Sequence, residues 1–191
     1  AEFETQLPER VQLQFVFDTT GSMSDELAYL TTEFTSIVER IAAKFPEIDM
    51  EFALTVYRDV GDDYVVRKFD FMSSVTEMQN LLEQQHSGGG GDYPEAMDKG
   101  IEAALEAQWR AGNEARILFL IADAPPHDDK IKSTFEMSME ARQRGIHIVP
   151  VAASGVAEVV ENLMRLMAVN THGRYVFLTD DSGVGNSHKE P

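Results

Sequence analysis

The chain has 191 residues, no cysteine and a formal net charge of −17, from 16 Lys and Arg against 33 Asp and Glu. Its length and 43% hydrophobic content imply one packed domain. The absence of cysteine excludes disulfides and thiolate metal sites. The acidic field disfavours nucleic acid and anionic membranes as partners, and no apolar run is long enough for membrane insertion.

Residues 1–10 (AEFETQLPER) are polar, lack signal-peptide character and read as an extension ahead of the domain; a start at Ala1 suggests processing or trimming. Residues 11–18 (VQLQFVFD) set Val11, Leu13, Phe15 and Phe17 at period two and predict a strand. Val16 makes its end nearly continuous in hydrophobicity, as burial on both faces requires. Residues 24–45 predict a helix, with Leu27, Leu30, Phe34, Ile37, Val38 and Ile41 at three- and four-residue spacing and Pro46 as its stop. Residues 50–57 and 64–71 predict two strands, and the short turn Gly61-Asp62-Asp63 makes them an antiparallel hairpin. Residues 74–85 predict a modest helix capped by Ser74.

Four glycines follow, Gly88 to Gly91, and then a helix predicted over 94–109 with Pro94 in its first turn. Residues 116–123 (RILFLIAD) form the most apolar strand. A helix over 131–144 stops at Gly145. A strand over 146–152, a helix over 156–169 and a strand over 174–178 complete the series. Such alternation implies an α/β fold, mostly parallel, with right-handed crossovers. The domain is read as 11–179, followed by a polar tail over 180–191.

Ligands of open α/β sheets gather beyond the carboxyl ends of the strands. The first strand runs into Asp18-Thr19-Thr20-Gly21-Ser22-Met23-Ser24. Asp18, Thr20 and Ser22 alternate and supply only oxygen, as a hard cation requires. The alternative reading is a capping loop in which Ser22 or Ser24 starts the helix. Asp123 follows the run 117–122, and its neighbouring strand could be the one ending in Asp18. Two carboxylates at one sheet edge repel unless a cation or a shared proton intervenes. A third loop, Gly91-Asp92-Tyr93-Pro94-Glu95, follows the glycine run. Its alternative role is to place acidic residues at a helix N-terminus.

Asp18-Thr19-Thr20-Gly21-Ser22 resembles the Asp-x-Ser/Thr-x-Ser signature of von Willebrand factor A domains, the first part of the metal-ion-dependent adhesion site (MIDAS). The resemblance runs over 11–178 in element order, and it implies a Rossmann-like (doubly wound), mostly parallel sheet with one antiparallel edge strand and helices on both faces. No threonine stands in the third loop. Asp92-Tyr93-Pro94-Glu95 is instead similar to the glutamate-bearing loop of integrin β I-like domains. The resemblance therefore implies Asp18, Thr20, Ser22 and Glu95 as metal ligands, with Asp123 binding directly or through water and Asp92 supporting the loop. It also suggests additional ions, one near Asp25 and Glu26 and one near Asp59, Asp92 and the Pro94 carbonyl, although Gly90 replaces an asparagine ligand there. The implied function is non-catalytic: Mg²⁺, or Mn²⁺ or Ca²⁺, would hold a carboxylate presented by a protein partner. Such roles favour a secreted, periplasmic or cell-surface setting.

Two alternatives remain. One is a haloacid-dehalogenase-like Mg²⁺-dependent phosphohydrolase with Asp18 as nucleophile and Asp180-Asp181 as its late acidic pair, but no lysine is suitably placed. The other is a structural interaction domain without a working metal site. Elsewhere, His127 reads as a solvated loop residue, His147 as a satisfied strand histidine and Trp109 as packing. Met137, Met139, Met164 and Met167 read as helical core positions. Asp180, Asp181, Asn186 and His188 read as a loose polar tail.

Overall fold

The structure, a computed structural model, describes residues 8–178 apart from Asp92 and Ser154. Six strands form one sheet: β1 (Arg10–Asp18), β2 (Asp49–Tyr57), β3 (Val66–Met72), β4 (Glu114–Ala122), β5 (Ile146–Ala152) and β6 (Val176–Phe177). Their order is β3-β2-β1-β4-β5-β6, and every pairing is parallel except β2 with β3. The helices are α1 (Ser24–Lys44), α2 (Val75–Glu83), α3 (Met97–Leu105), α4 (Ile131–Gln143) and α5 (Glu158–Asn170). The expected doubly wound sheet with one antiparallel edge strand is the architecture found.

The period-two pattern of β1 decides how the two layers are filled. Leu13 and Phe17 belong to the core under α1 and α2, with Val11 and Phe15 packed against it. Val16 belongs to the opposite core, with Ile101 of α3, Ala141 of α4 and Met164 of α5. Gln12 and Gln14 are also fully buried, which their polarity did not announce. Each is held by a cross-strand bond: Gln12 Nε2 donates to Glu51 Oε2 at 3.0 Å, and Gln14 Nε2 to Thr55 Oγ1 at 3.0 Å. Such bonds offset the desolvation that an unpartnered amide would cost. Beside α1, an all-apolar groove of about 440 Å³ runs between the helix and the sheet, lined among others by Phe15, Ile37 and Phe119.

The helix expected over 94–109 is shorter, Met97–Leu105. Glu95 donates its backbone N–H to Pro125 O at 2.9 Å and pairs with Pro126 as a parallel bridge, so the chain is still extended there. At the other end the Trp109 indole donates to Ala104 O at 2.9 Å and its ring meets Phe71 edge-on at 4.9 Å. Trp109 thus packs, as expected, but past the helix end. Met164 and Met167 are fully buried and Met137 packs on the core. Met139 is half exposed, against expectation, because it falls on the outer face of α4. His147 is satisfied, its Nδ1 lying 2.8 Å from Thr171 O. Residues 180–191, with Asp180, Asp181, Asn186 and His188, lie outside the described residues.

Phe34 of α1 is almost completely buried and meets Phe52 edge-on at 5.3 Å and Phe15 at 6.0 Å. Phe34→Ala is expected to lower unfolding stability by about 3–5 kcal/mol, from lost transfer energy plus a cavity. Urea denaturation followed by circular dichroism measures it.

Candidate functional site

Parallel pairing of Phe17 with Ile121 sets the carboxyl ends of β1 and β4 side by side. Asp18, the last residue of β1, and Asp123, the first after β4, therefore emerge at the same edge, both buried. Asp18 Oδ1 accepts from the backbone N–H of Thr20 at 2.9 Å and from its hydroxyl at 2.7 Å. That hydroxyl spends its proton on Asp18 and keeps lone pairs for another contact. Ser22 lies in the 3₁₀ turn Gly21–Met23 that leads into α1. The capping-loop alternative finds no side-chain bond at either N-cap, Thr20 for the turn or Met23 for α1.

The glycine run crosses this loop. Gly88 N donates to Thr19 O at 3.0 Å, and Gly21 N donates to Gly89 O at 3.4 Å. Gly90 has φ +76°, and a Cβ there would stand 2.9 Å from Glu95 Oε1 and 3.1 Å from Thr20 Cβ. Only glycine fits such a conformation and such an approach. Glu95, anchored by its own N–H to Pro125 O, completes the group and is itself buried. Thr20, Ser22, Gly90, Tyr93, Glu95 and Asp123 line a cavity of about 260 Å³ over Asp18.

Three oxygens in this group are buried without a hydrogen-bond partner: Asp18 Oδ2, Glu95 Oε2 and Asp123 Oδ1. The electrostatics match that geometry. Burial pushes Asp18 up to about 7; the Thr20 bonds and, more weakly, the nearby buried Tyr57 hydroxyl oppose the rise, and the charge of Asp123 adds to it. Burial pushes Glu95 up to about 9, aided by the charges of Asp18, Asp59, Asp62 and Asp123. Asp123 is raised by burial, against the lowering effect of the Ser22 hydroxyl. Tyr57, fully buried, is held well above the usual phenol range by burial and then by the charge of Asp18.

A donor set made only of carboxylate and hydroxyl oxygen fits a hard divalent cation, and a dication would relieve the mutual repulsion. Among the described residues, no three His, Asp or Glu side chains are placed to hold an ion on their own. Hydroxyls and water would have to complete any coordination sphere.

The five residues expected at the centre, Asp18, Thr20, Ser22, Glu95 and Asp123, thus share one edge of the sheet. The further candidates divide. Asp25 and Glu26 open α1; Asp25 is exposed, while Glu26 is buried and its charge raises Asp123. Asp59 is buried and bound to His127, with Oδ1 2.7 Å from Nε2. Asp92 lies outside the described residues. His127 is therefore not the solvated loop residue expected; its side chain is 33% exposed and anchored. The bond to Asp59 ties its loop to the residues just after β2, while the bridge between Glu95 and Pro126 ties the same loop to the segment ahead of α3.

Sequence reasoning missed four supporting residues. Asp62 bonds the glycine run. Arg58, nearly buried, donates from Nη2 to His86 O at 2.6 Å and lies over the Tyr64 ring at 4.6 Å. The Tyr93 hydroxyl donates to Asp123 O at 3.3 Å and accepts from Ala157 N at 3.2 Å. The Tyr57 ring fills the place that a side chain at Gly100 would take. These contacts span 28 residues or more, apart from the stacking of Arg58 on Tyr64, and leave no local pattern.

A six-stranded, mostly parallel sheet with one antiparallel edge strand and its polar site at the carboxyl edge defines an α/β domain of the von Willebrand factor A type. The chain belongs to the von Willebrand factor A domain family, whose profile matches residues 12–185. It is 30% identical over 128 residues to alpha-protein kinase vwkA of Dictyostelium discoideum, which covers 65% of this chain and 20% of that protein. It is 28% identical over 137 residues to hemicentin-2 of Mus musculus, covering 72% of this chain and 2% of that one. The chain thus spans a fifth or less of these relatives. Among solved structures it resembles the conserved hypothetical protein BatB from Bacteroides thetaiotaomicron, with a TM-score of 0.63 at 14% identity over 88% of this chain and 89% of that one. It also resembles proximal thread matrix protein 1 from the mussel byssus, with a TM-score of 0.65 at 18% identity over 91% and 43%. Domains of this family generally serve protein interaction. The matches carry no sign of a haloacid-dehalogenase-type phosphohydrolase.

The raised carboxylates fix a pH dependence. Folded Asp18 and Glu95 hold protons more tightly than unfolded ones, from ordinary values of 3.8 and 4.5. Their contribution to stability is complete below about pH 4 and is lost as pH rises through about 7 and then about 9. In EDTA the melting temperature is expected to fall between pH 5 and pH 8, and to fall less in Asp18→Asn. Differential scanning fluorimetry across that range checks the sign.

Proposed function

We propose that the domain is a non-catalytic, metal-dependent interaction module, binding a divalent cation at a MIDAS-type site and through it a carboxylate on a protein partner. The observation that carries this reading is the set of three buried, unpartnered carboxylate oxygens on Asp18, Glu95 and Asp123, gathered beneath an open cavity. Leaving such atoms unsatisfied costs free energy unless a ligand meets them.

Asp18, Thr20, Ser22 and Glu95 would hold Mg²⁺, or Mn²⁺ or Ca²⁺, with Asp123 contributing directly or through water. When bound, the ion supplies Lewis acidity toward a partner's carboxylate. Thr20 serves by turning its proton inward to Asp18 and its lone pairs outward. Ser22 offers a second neutral oxygen, so that the surrounding donors do not fully quench the ion's charge. Glu95, raised to about 9 without a cation, gives up its proton when one binds. Tyr93, half exposed and pinned through its hydroxyl, walls the cavity on the side a partner would approach. In sequence, Asp92-Tyr93-Pro94-Glu95 resembles the glutamate loop of integrin β I-like domains, which supports Glu95 as a ligand on this reading.

The reading is tested by thermal shift and pull-down together. At a hundredfold excess over Kd, ligand linkage is worth about 2.7 kcal/mol. For a chain of this size that corresponds to a rise of about 5–10 °C. Wild type is expected to show such a rise in Mg²⁺ or Mn²⁺ over EDTA, and Asp18→Ala to show none. Equal melting temperatures in Mg²⁺, Mn²⁺, Ca²⁺ and EDTA would overturn cation binding. Capture of a partner unchanged by EDTA would identify an interaction domain without a working metal site.

A further inference from the structure

The turn between β2 and β3 does more than reverse the chain. Asp62 in that turn directs its carboxylate at the glycine run, 28 residues away. Both of its oxygens accept from Gly90 N, at 3.1 and 3.3 Å, and Oδ2 also accepts from Asp59 N at 3.1 Å. Gly89 lies so close that a Cβ on it would collide with that carboxylate, and it sits at φ +78°. On the other side of the strap, Gly90 faces Glu95 and Thr20 at distances that leave no room for a side chain. The glycine run is therefore sandwiched: Asp62 behind it, two residues of the cation site in front of it. Arg58 lies beside the same turn and reaches His86 O at 2.6 Å; its 3.6 Å approach to Asp63 Oδ2 is to an almost fully exposed carboxylate and adds little to the turn.

We propose that Asp62 is a positioning residue for the site: it latches Gly89 and Gly90 against Thr20 and Glu95, and so sets the affinity for the cation without being a ligand. This rests on the metal-dependent reading given above. The physical reason is that a backbone strap with four glycines has many conformations to lose. A charge-assisted bond to Gly90 N–H removes that freedom before the ion arrives. Residues that only orient metal ligands commonly change metal affinity by about 10–100-fold when removed.

Three variants separate the latch from its charge. Asp62→Ala and Asp62→Asn both remove the charge, but only the asparagine keeps an oxygen that can accept from Gly90. Asp63→Asn removes the same charge one residue on, from a side chain that is 89% exposed and bound to no glycine. Mn²⁺ titration by calorimetry is expected to show binding weakened about tenfold in Asp62→Ala. Asp62→Asn should stay within about threefold of wild type and Asp63→Asn within about twofold, effects smaller than that loss. In EDTA, amide hydrogen exchange at Gly90 should speed up in Asp62→Ala and not in Asp62→Asn. Wild-type affinity in Asp62→Ala, equal weakening in all three variants, or unchanged Gly90 exchange would overturn the latch. Failure of wild type itself to bind Mn²⁺ would instead overturn the metal-dependent reading, while the Gly90 exchange would still decide whether the latch exists.

Discussion

The convergence of three carboxylates at the buried carboxyl edge of the sheet is the constraint around which this domain is organised. Asp18, Glu95 and Asp123 are each less than a tenth exposed, and each keeps one oxygen without a protein partner. Like charges in a desolvated place raise one another's pKa and oppose folding. The chain tolerates this because the strands beneath are covered on both faces. The parallel register that puts Phe17 beside Ile121 leaves Asp18 and Asp123 nowhere else to go. On the proposed reading, a bound cation would supply the counter-charge that offsets the cost of this cluster.

Holding the cluster falls to contacts distant in sequence. The Tyr57 ring packs where Gly100 has no side chain, which brings α3 close to β2 beneath the site. Thr19 donates its hydroxyl to Tyr57 O at 3.0 Å and lies 2.7 Å from the Tyr64 hydroxyl, fixing the first loop to the β2–β3 hairpin. The Tyr93 hydroxyl joins the loop after β4 to Ala157, the residue that caps α5. These ties use ring packing, neutral hydroxyls and backbone groups, whereas the Asp62 bond to Gly90 brings in a further charge, one that itself raises Glu95.

This division explains what could be read from the sequence. Asp18-Thr19-Thr20-Gly21-Ser22 is contiguous, and Asp123 directly follows an apolar strand, so both stood out from local pattern. The sheet was legible for a similar reason, since period-two runs and glycine stops are local signals. The helix over 94–109 was read too long because Glu95 gives its backbone N–H to Pro125 O and bridges Pro126, a non-local preference no window reveals. His127 was misread for the same cause, its carboxylate partner lying 68 residues earlier. Gln12 and Gln14 carry no local sign of burial, since only the neighbouring strand supplies the Glu51 and Thr55 that let them be buried.

The overall charge sharpens the functional argument. A net charge of −17 disfavours the approach of an acidic partner at long range. On the proposed reading, that sign would reverse locally at the cavity over Asp18 while a divalent cation sits there. Cation and partner would then be coupled: the ion makes the carboxylate welcome, and by linkage the bound carboxylate tightens the ion by the same factor. The neutral oxygens of Thr20 and Ser22 matter for this reason. A fourth and fifth carboxylate in their places would bind the cation more tightly, but would leave it too well neutralised to attract another anion.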